Sequence, residues 1–98
     1  MKKFPNGKEF NANLGKDEQF VLFYASWCPF CQSFCPKFEG KFCKSEKHLM
    51  VAIDEDSDPA WDECSIRAVP TVLVFKGKKI AKRFDAIPGV GLNISDIK

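Results

Sequence analysis

The sequence predicts an α/β layered domain with mixed strand directions, on three observations. Short, continuously apolar, β-prone runs recur at 20–25, 49–53 and 71–75. Between the first two lies a helical stripe in which Phe30, Phe34, Phe38 and Phe42 recur every four residues. After the third, Lys76-Gly77-Lys78 has the chemistry of a tight turn leading into a further strand. The 98 residues suit one domain, 1–98, with a single core.

In chain order, Phe20 to Ala25 reads as a central strand covered on both faces. Helix begins at Pro29, because proline fits the first helical turn where its missing N–H costs nothing. The Phe stripe carries that helix to about Cys43, and Pro36 inside it predicts a kink. Leu49 to Ile53 is the second strand, ended by the acidic turn Asp54-Glu55-Asp56-Ser57-Asp58, which reads as solvated. Asp58-Pro59 is a helix cap followed by a first helical residue, opening a short helix to about Ser65. Thr71 to Phe75 and Lys79 to Phe84 form a hairpin. Gly89-Val90-Gly91 then interrupts the chain before a last helix near Leu92 to Ile97. The order is a βαβ unit, a helix, a hairpin and a final helix.

Composition narrows the function. At 45% hydrophobic and 29% charged, the chain reads as a soluble globular protein. A formal charge of +2, with no basic cluster interleaved with aromatics, argues against nucleic acid or an anionic membrane as partner. No apolar run reaches membrane-spanning length, and the basic start Met1-Lys2-Lys3 has no apolar stretch behind it, so a cytoplasmic protein is expected. Five cysteines cannot all pair within the chain. In a reducing compartment, a close pair is redox-active or metal-binding rather than a staple.

That pair is Cys28 and Cys31, in Trp27-Cys28-Pro29-Phe30-Cys31. Two cysteines three apart on a first helical turn have Cβ atoms roughly 5–6 Å apart. A small adjustment brings them to the ~3.5–4.5 Å of a disulfide. Helix N–H groups and the positive end of the dipole favour thiolate there. Cys28, at the very end, is expected to be the exposed nucleophile, and Cys31, one turn in, the shielded resolving thiol. Trp27 reads either as a flat surface for a substrate chain or as a partly buried strand-end aromatic. A zinc site needs two more ligands; Cys35, Cys43, Cys64 and His48 do not supply them at suitable spacing. Iron–sulfur spacing is absent as well, so no metal and no cofactor are expected. Cys35 reads as core, Cys43 and Cys64 as passive, partly buried residues with a regulatory or dimer-forming thiol as the alternative, and His48 as a loop residue without a role. Trp61 reads as packing.

These residues, taken in order, resemble the thioredoxin superfamily over nearly the whole chain. The run from Phe23 to Cys28 is similar to the family's strand into its active site. Pro36 matches its helix-kinking proline, Ile53-Asp54 the end of its next strand, and Ile66-Arg67-Ala68-Val69-Pro70-Thr71 its cis-proline segment. The resemblance implies a thioredoxin fold, a central mixed four- or five-stranded sheet flanked by helices on both faces. It further implies a cis Val69–Pro70 bond packed against the dithiol, with Trp27, Val69 and Pro70 meeting substrate. A monomeric protein disulfide oxidoreductase is implied, in cell redox homeostasis and electron transport. Its dithiol would be recycled by a separate thioredoxin-reductase-type donor.

Two alternatives stand beside it: a glutathione-dependent, glutaredoxin-like reductase, suggested by Pro29-Phe30, and a non-catalytic peptide-binding module on the same fold. Departures from the family pattern are specific. Thioredoxins carry Gly-Pro between the cysteines where this chain has the atypical Pro29-Phe30. The family's buried acid is replaced by Leu22 and its lysine neighbour by Met50. Removing that negative charge and freeing the Phe30 N–H favour the Cys28 thiolate, so a more oxidising couple than an ordinary thioredoxin is expected.

Overall fold

The computed structural model describes residues 1–87 and 89–97. Five strands form one sheet in the order β1-β3-β2-β4-β5. They are β1 (Lys2–Phe4), β2 (Gln19–Tyr24), β3 (His48–Ala52), β4 (Thr71–Lys76) and β5 (Lys79–Asp85). β2 runs parallel to β3, and β1 parallel to β3, whereas β4 is antiparallel to both β2 and β5. The helices are α1 (Pro29–Phe42) and α2 (Ala60–Glu63), with 3-10 turns at Phe10–Asn13 and Ile94–Asp96.

The period-two alternation of the central strands sends their side chains into two layers. Val21, Phe23, Leu49, Val51, Leu73 and Phe75 face Phe10, Leu14, Ala60 and Ile66. Leu22, Met50 and Val72 face Phe34, Phe38 and Phe42 of α1 and Ile97 from the C-terminal segment. Both sheet faces are therefore covered, as the apolar runs required. The Phe stripe of α1 is core except at its first member: Phe34, Phe38 and Phe42 are buried, while Phe30 is 41% exposed.

The expected strands and helices are present, with four corrections. β1 was not expected: it is three residues long with two exposed lysines, too short for any period, and exists only by pairing with β3. The final helix shrinks to a single 3-10 turn, capped where Asn93 Oδ1 accepts the Ser95 N–H. The acidic turn is not simply solvated. Asp58 is buried and accepts the N–H groups of Gly7, at 2.8 Å, and Ala60, at 3.0 Å, so it caps α2 and ties down the N-terminal loop. A Cβ at Gly7 would run into that carboxylate and Ala60.

The fourth correction is His48. It opens β3, is buried, and stacks against Phe42 (centroids 3.8 Å apart) and Phe20 (4.6 Å). Its Nδ1 pairs with Ser45 Oγ at 2.7 Å, while Nε2 has no partner. Burial first, then nearby Lys41 and Lys47, push its pKa down to about 4.

Candidate active site

Four segments meet at the C-terminal end of β2. The strand delivers Ala25-Ser26-Trp27, and Cys28 is the N-cap of α1 in extended conformation, with Pro29 in the first helical turn. The first helical bond closes from Gln32 N–H to Cys28 O at 3.0 Å. From the next connection, Asp54 grips the loop: its carboxylate accepts both the Ser26 N–H (2.8 Å) and the Ser26 hydroxyl (2.6 Å). The Asp54 carbonyl accepts the Trp27 indole N–H at 2.9 Å. Trp27 is therefore pinned at its nitrogen while 55% of it stays open to solvent, consistent with a presented flat surface. Gln32 completes the frame by donating to Ser26 O at 3.1 Å.

The third segment is the approach to β4. The Val69–Pro70 peptide bond is cis, and the Cys28 thiol donates to Val69 O at 3.4 Å. The cis-proline segment thus packs against the dithiol, as the resemblance implied. In the fourth, Ile87 and Gly91 are paired by Ile87 N–H to Gly91 O (2.9 Å) and the reverse bond (2.8 Å). Gly91 lies at φ +91, and a Cβ there would come within 2.9 Å of Phe30 Cδ1, so the Phe30 ring rests directly on that backbone. Trp27, Phe30, Ile87 and Val90 are exposed large apolar residues of these segments.

Both thiols are free. Cys31 is 1% exposed and Cys28 6%, so the expected order of access holds, but the expected open Cys28 does not. Its side chain joins the core and reaches Val69 O rather than projecting from the helix end. Burial pushes the Cys31 thiol up to about 12; a hydrogen bond from the Ala25 backbone opposes this, and the adjacent Cys28 adds to it. The Leu22 and Met50 positions are exact cross-strand partners, both fully enclosed in the α1-side core. Neither offers Cys31 a proton acceptor.

Of the other cysteines, Cys35 is half-buried against the core and raised to about 11 by burial. Cys43 is exposed rather than partly buried. Cys64, the C-cap of α2, is fully buried in the core rather than partly so, and burial raises it to about 11. Among the described residues no group of three or more acidic, His or Cys side chains is arranged to hold a metal ion. Trp61 packs on the core and donates its indole N–H to Glu55 O at 3.0 Å.

Ser26 frames this site yet gives little signal in the sequence. It acts through the Asp54 carboxylate, which comes from a distant segment. A Ser before a Trp-Cys pair looks ordinary.

A cysteine pair on a first helical turn, roofed by a cis-proline segment and flanked by apolar surface, defines a protein of thiol–disulfide exchange. The family model described as Thioredoxin matches residues 2–89. Thioredoxin of Mycoplasmoides gallisepticum is 34% identical over 91 residues, covering 90% of this chain and 91% of that protein. Thioredoxin-1 of Saccharomyces cerevisiae is 33% identical, covering 88% and 86%. The crystal structure of Malassezia sympodialis thioredoxin superposes with a TM-score of 0.76 at 25% identity, over 99% of this chain and 84% of that one. A chain from the solved complex of ferredoxin:thioredoxin reductase with thioredoxin f2 shares the fold (TM-score 0.77, 22% identity, 98% and 87% covered). The chain belongs to the thioredoxin family and is a thiol–disulfide oxidoreductase.

Proposed function

We propose that Cys28 and Cys31 are the working dithiol of a protein disulfide reductase, with Cys28 the nucleophile and Cys31 the resolving thiol. The observation that carries the assignment is Cys28 at the N-terminus of α1 with its sulfur 3.4 Å from Val69 O. Cys28 thiolate attacks one sulfur of a substrate disulfide; that bond breaks and the other sulfur leaves as a thiolate that takes a proton. Cys31 then loses its proton and attacks Cys28 Sγ. The second substrate sulfur leaves, so the substrate gains two electrons and the protein holds a Cys28–Cys31 disulfide.

Trp27, Val69 and Pro70 form the substrate-docking surface. An extended segment pairs with the Val69 backbone as an added strand, and Trp27 supports its apolar side chains. Pro29 and Phe30 complete the motif: Pro29 starts the helix, and Phe30, seated on Gly91, walls the surface on that side.

A separate thioredoxin-reductase-type protein returns the two electrons; the solved reductase–thioredoxin f2 complex on the same fold supports a partner of this kind. Residues 1–98 act as one domain, monomeric and cytoplasmic, serving electron transport and redox homeostasis without nucleic acid. Among the described residues no helix is long and apolar enough to cross a membrane.

Replacing Cys31 with serine tests the assignment. C31S is expected to accumulate a mixed disulfide on Cys28 with protein disulfides such as insulin, and C28S to accumulate none. Trapping on another cysteine, or wild-type turnover with glutathione in place of a thioredoxin reductase, overturns it.

A further inference from the structure

Arg83 sits on β5, a strand with little buried surface, yet its guanidinium is fully engaged. It donates to Cys64 O (Nη1, 2.9 Å) and Ser65 O (Nη2, 2.9 Å). Asp85 holds it from the other side, accepting from Nε at 3.2 Å and from Nη2 at 3.1 Å. The two carbonyls end α2. Ile66 N–H returns to Trp61 O (2.9 Å) and Ser65 N–H to Asp62 O (3.2 Å), the paired bonds of a Schellman turn. Such a turn needs a left-handed residue after the cap, ordinarily glycine. Here Ser65 adopts it, at φ +52, against its side-chain preference. The turn's last carbonyls have no helical partners of their own, and Arg83 supplies them.

Four residues beyond Ser65 the same segment reaches Val69, whose carbonyl meets the Cys28 sulfur. β5 pairs with β4 in the register Leu73 with Arg83 and Thr71 with Asp85, so Arg83 is rooted in the strand that follows Pro70. The guanidinium therefore ties the entrance of the cis-proline segment to its exit. A groove of about 510 Å³ lies along this tie, lined by Arg67, Ala68 and Ala86 among others.

We propose that Arg83, held by Asp85, is a positioning residue for substrate docking: it fixes the Ser65 turn and thereby the Val69 backbone on which a disulfide substrate lies. The inference rests on the reading of Val69 as a docking edge. Arg83 makes no hydrogen bond to Cys28 or Cys31, so the chemistry of the dithiol is left to those residues.

The test is steady-state reduction of a protein disulfide, insulin, beside reduction of a small aromatic disulfide that needs only the Cys28 sulfur. Arg83→Met is expected to raise KM for insulin about tenfold, the scale of losing two charge-assisted hydrogen bonds at a half-open site, with kcat retained. The rate with the small disulfide stays unchanged. Asp85→Asn, a milder change that leaves the guanidinium on its carbonyls, raises KM in the same direction by less, and serves if Arg83→Met does not fold. Adding Ser65→Gly to Arg83→Met restores part of the insulin KM, because glycine holds the left-handed turn without the clamp. An unchanged insulin KM overturns the proposal. So does an equal loss with both disulfides, or a double variant no better than Arg83→Met. Failure of the docking reading itself is distinguishable: C31S, with Arg83 intact, would then show no preference for trapping protein disulfides over the small one.

Discussion

If Cys31 resolves the mixed disulfide as proposed, its elevated thiol makes that step the pH-sensitive part of the cycle. Its pKa of about 12 stands against an ordinary 9.0, and burial is the largest cause. When Cys28 is tied up in a mixed disulfide its charge is gone, so the smaller Cys28 contribution relaxes while burial persists. Each unit of the rise that persists leaves about tenfold less thiolate at pH 7.5 than an unshifted thiol provides. The more basic thiolate is the better nucleophile, and with a Brønsted slope of ~0.4–0.5 it recovers roughly threefold of that. The net deficit in the release rate is about three- to fourfold per unit. A base poised beside Cys31 would cancel it, but the groups that act on Cys31 are the Ala25 backbone, Cys28 and Cys35, and none of them is a carboxylate or an imidazole. Single-turnover stopped-flow on a preformed Cys28 mixed disulfide is the assay, following the departing chromophoric thiol from pH 6.5 to 10. Release is expected to rise about tenfold per pH unit across that span without levelling. A plateau beginning near pH 7 or 8 would refute the reasoning, since it requires either a far lower Cys31 pKa or a proton acceptor the core does not contain.

Two further outcomes follow from the α1-side core. His48 is held neutral at about 4 when folded against 6.5 free, so the unfolded chain binds the extra proton between those values. The stability this group contributes is fully present above pH 6.5 and is lost as pH falls toward 4. Urea melts of wild type and His48→Phe should therefore diverge by about 2–3 kcal/mol between pH 7.5 and 4.5, and a pH-independent difference sinks the account. Leu22→Asp places a carboxylate among Phe34, Phe38 and Met50, and is expected to cost at least about 3 kcal/mol at pH 8. The loss shrinks toward pH 5 because the buried acid's pKa is raised. Adding Met50→Lys, directly opposite, should recover part of it in the same denaturant titrations.

The periodic parts of this molecule were legible because their physics is local. Alternation in β2, β3 and β4, the i, i+4 phenylalanines of α1 and the cysteine spacing at its start each declare themselves within a dozen residues. What stayed hidden depends on partners far away in the chain. β1 has no pattern of its own and forms only because β3 offers an edge. His48 looked like a loop residue because nothing nearby in sequence announces Phe20, and its stacking requires that strand to pair alongside. The burial of Cys28 escaped for the same reason: helix-end geometry argues for exposure, while the Val69 segment that covers it arrives 41 residues later.

The missing acid and lysine are best understood across the sheet rather than along the chain. Lys3, Met50 and Leu22 occupy one row, on β1, β3 and β2, and paired residues of parallel strands face the same side. Moving along that row, charge appears only at the edge, where Lys3 meets Glu39 of α1 at 2.7 Å with both side chains substantially open to water. An exposed pair of this kind adds little stability. A charge enclosed under α1 would have to be desolvated, and would need a partner equally enclosed. Placing leucine and methionine in the inner positions avoids that cost and lets Phe34 and Phe38 close over the sheet without a polar gap. The result is a dry α1-side layer, while Cys31 packs in the other cluster, where the Ala25 backbone, Cys28 and Cys35 are the groups that act on it. Under the roles proposed for the two thiols, release is then limited by how readily a buried thiol gives up its proton.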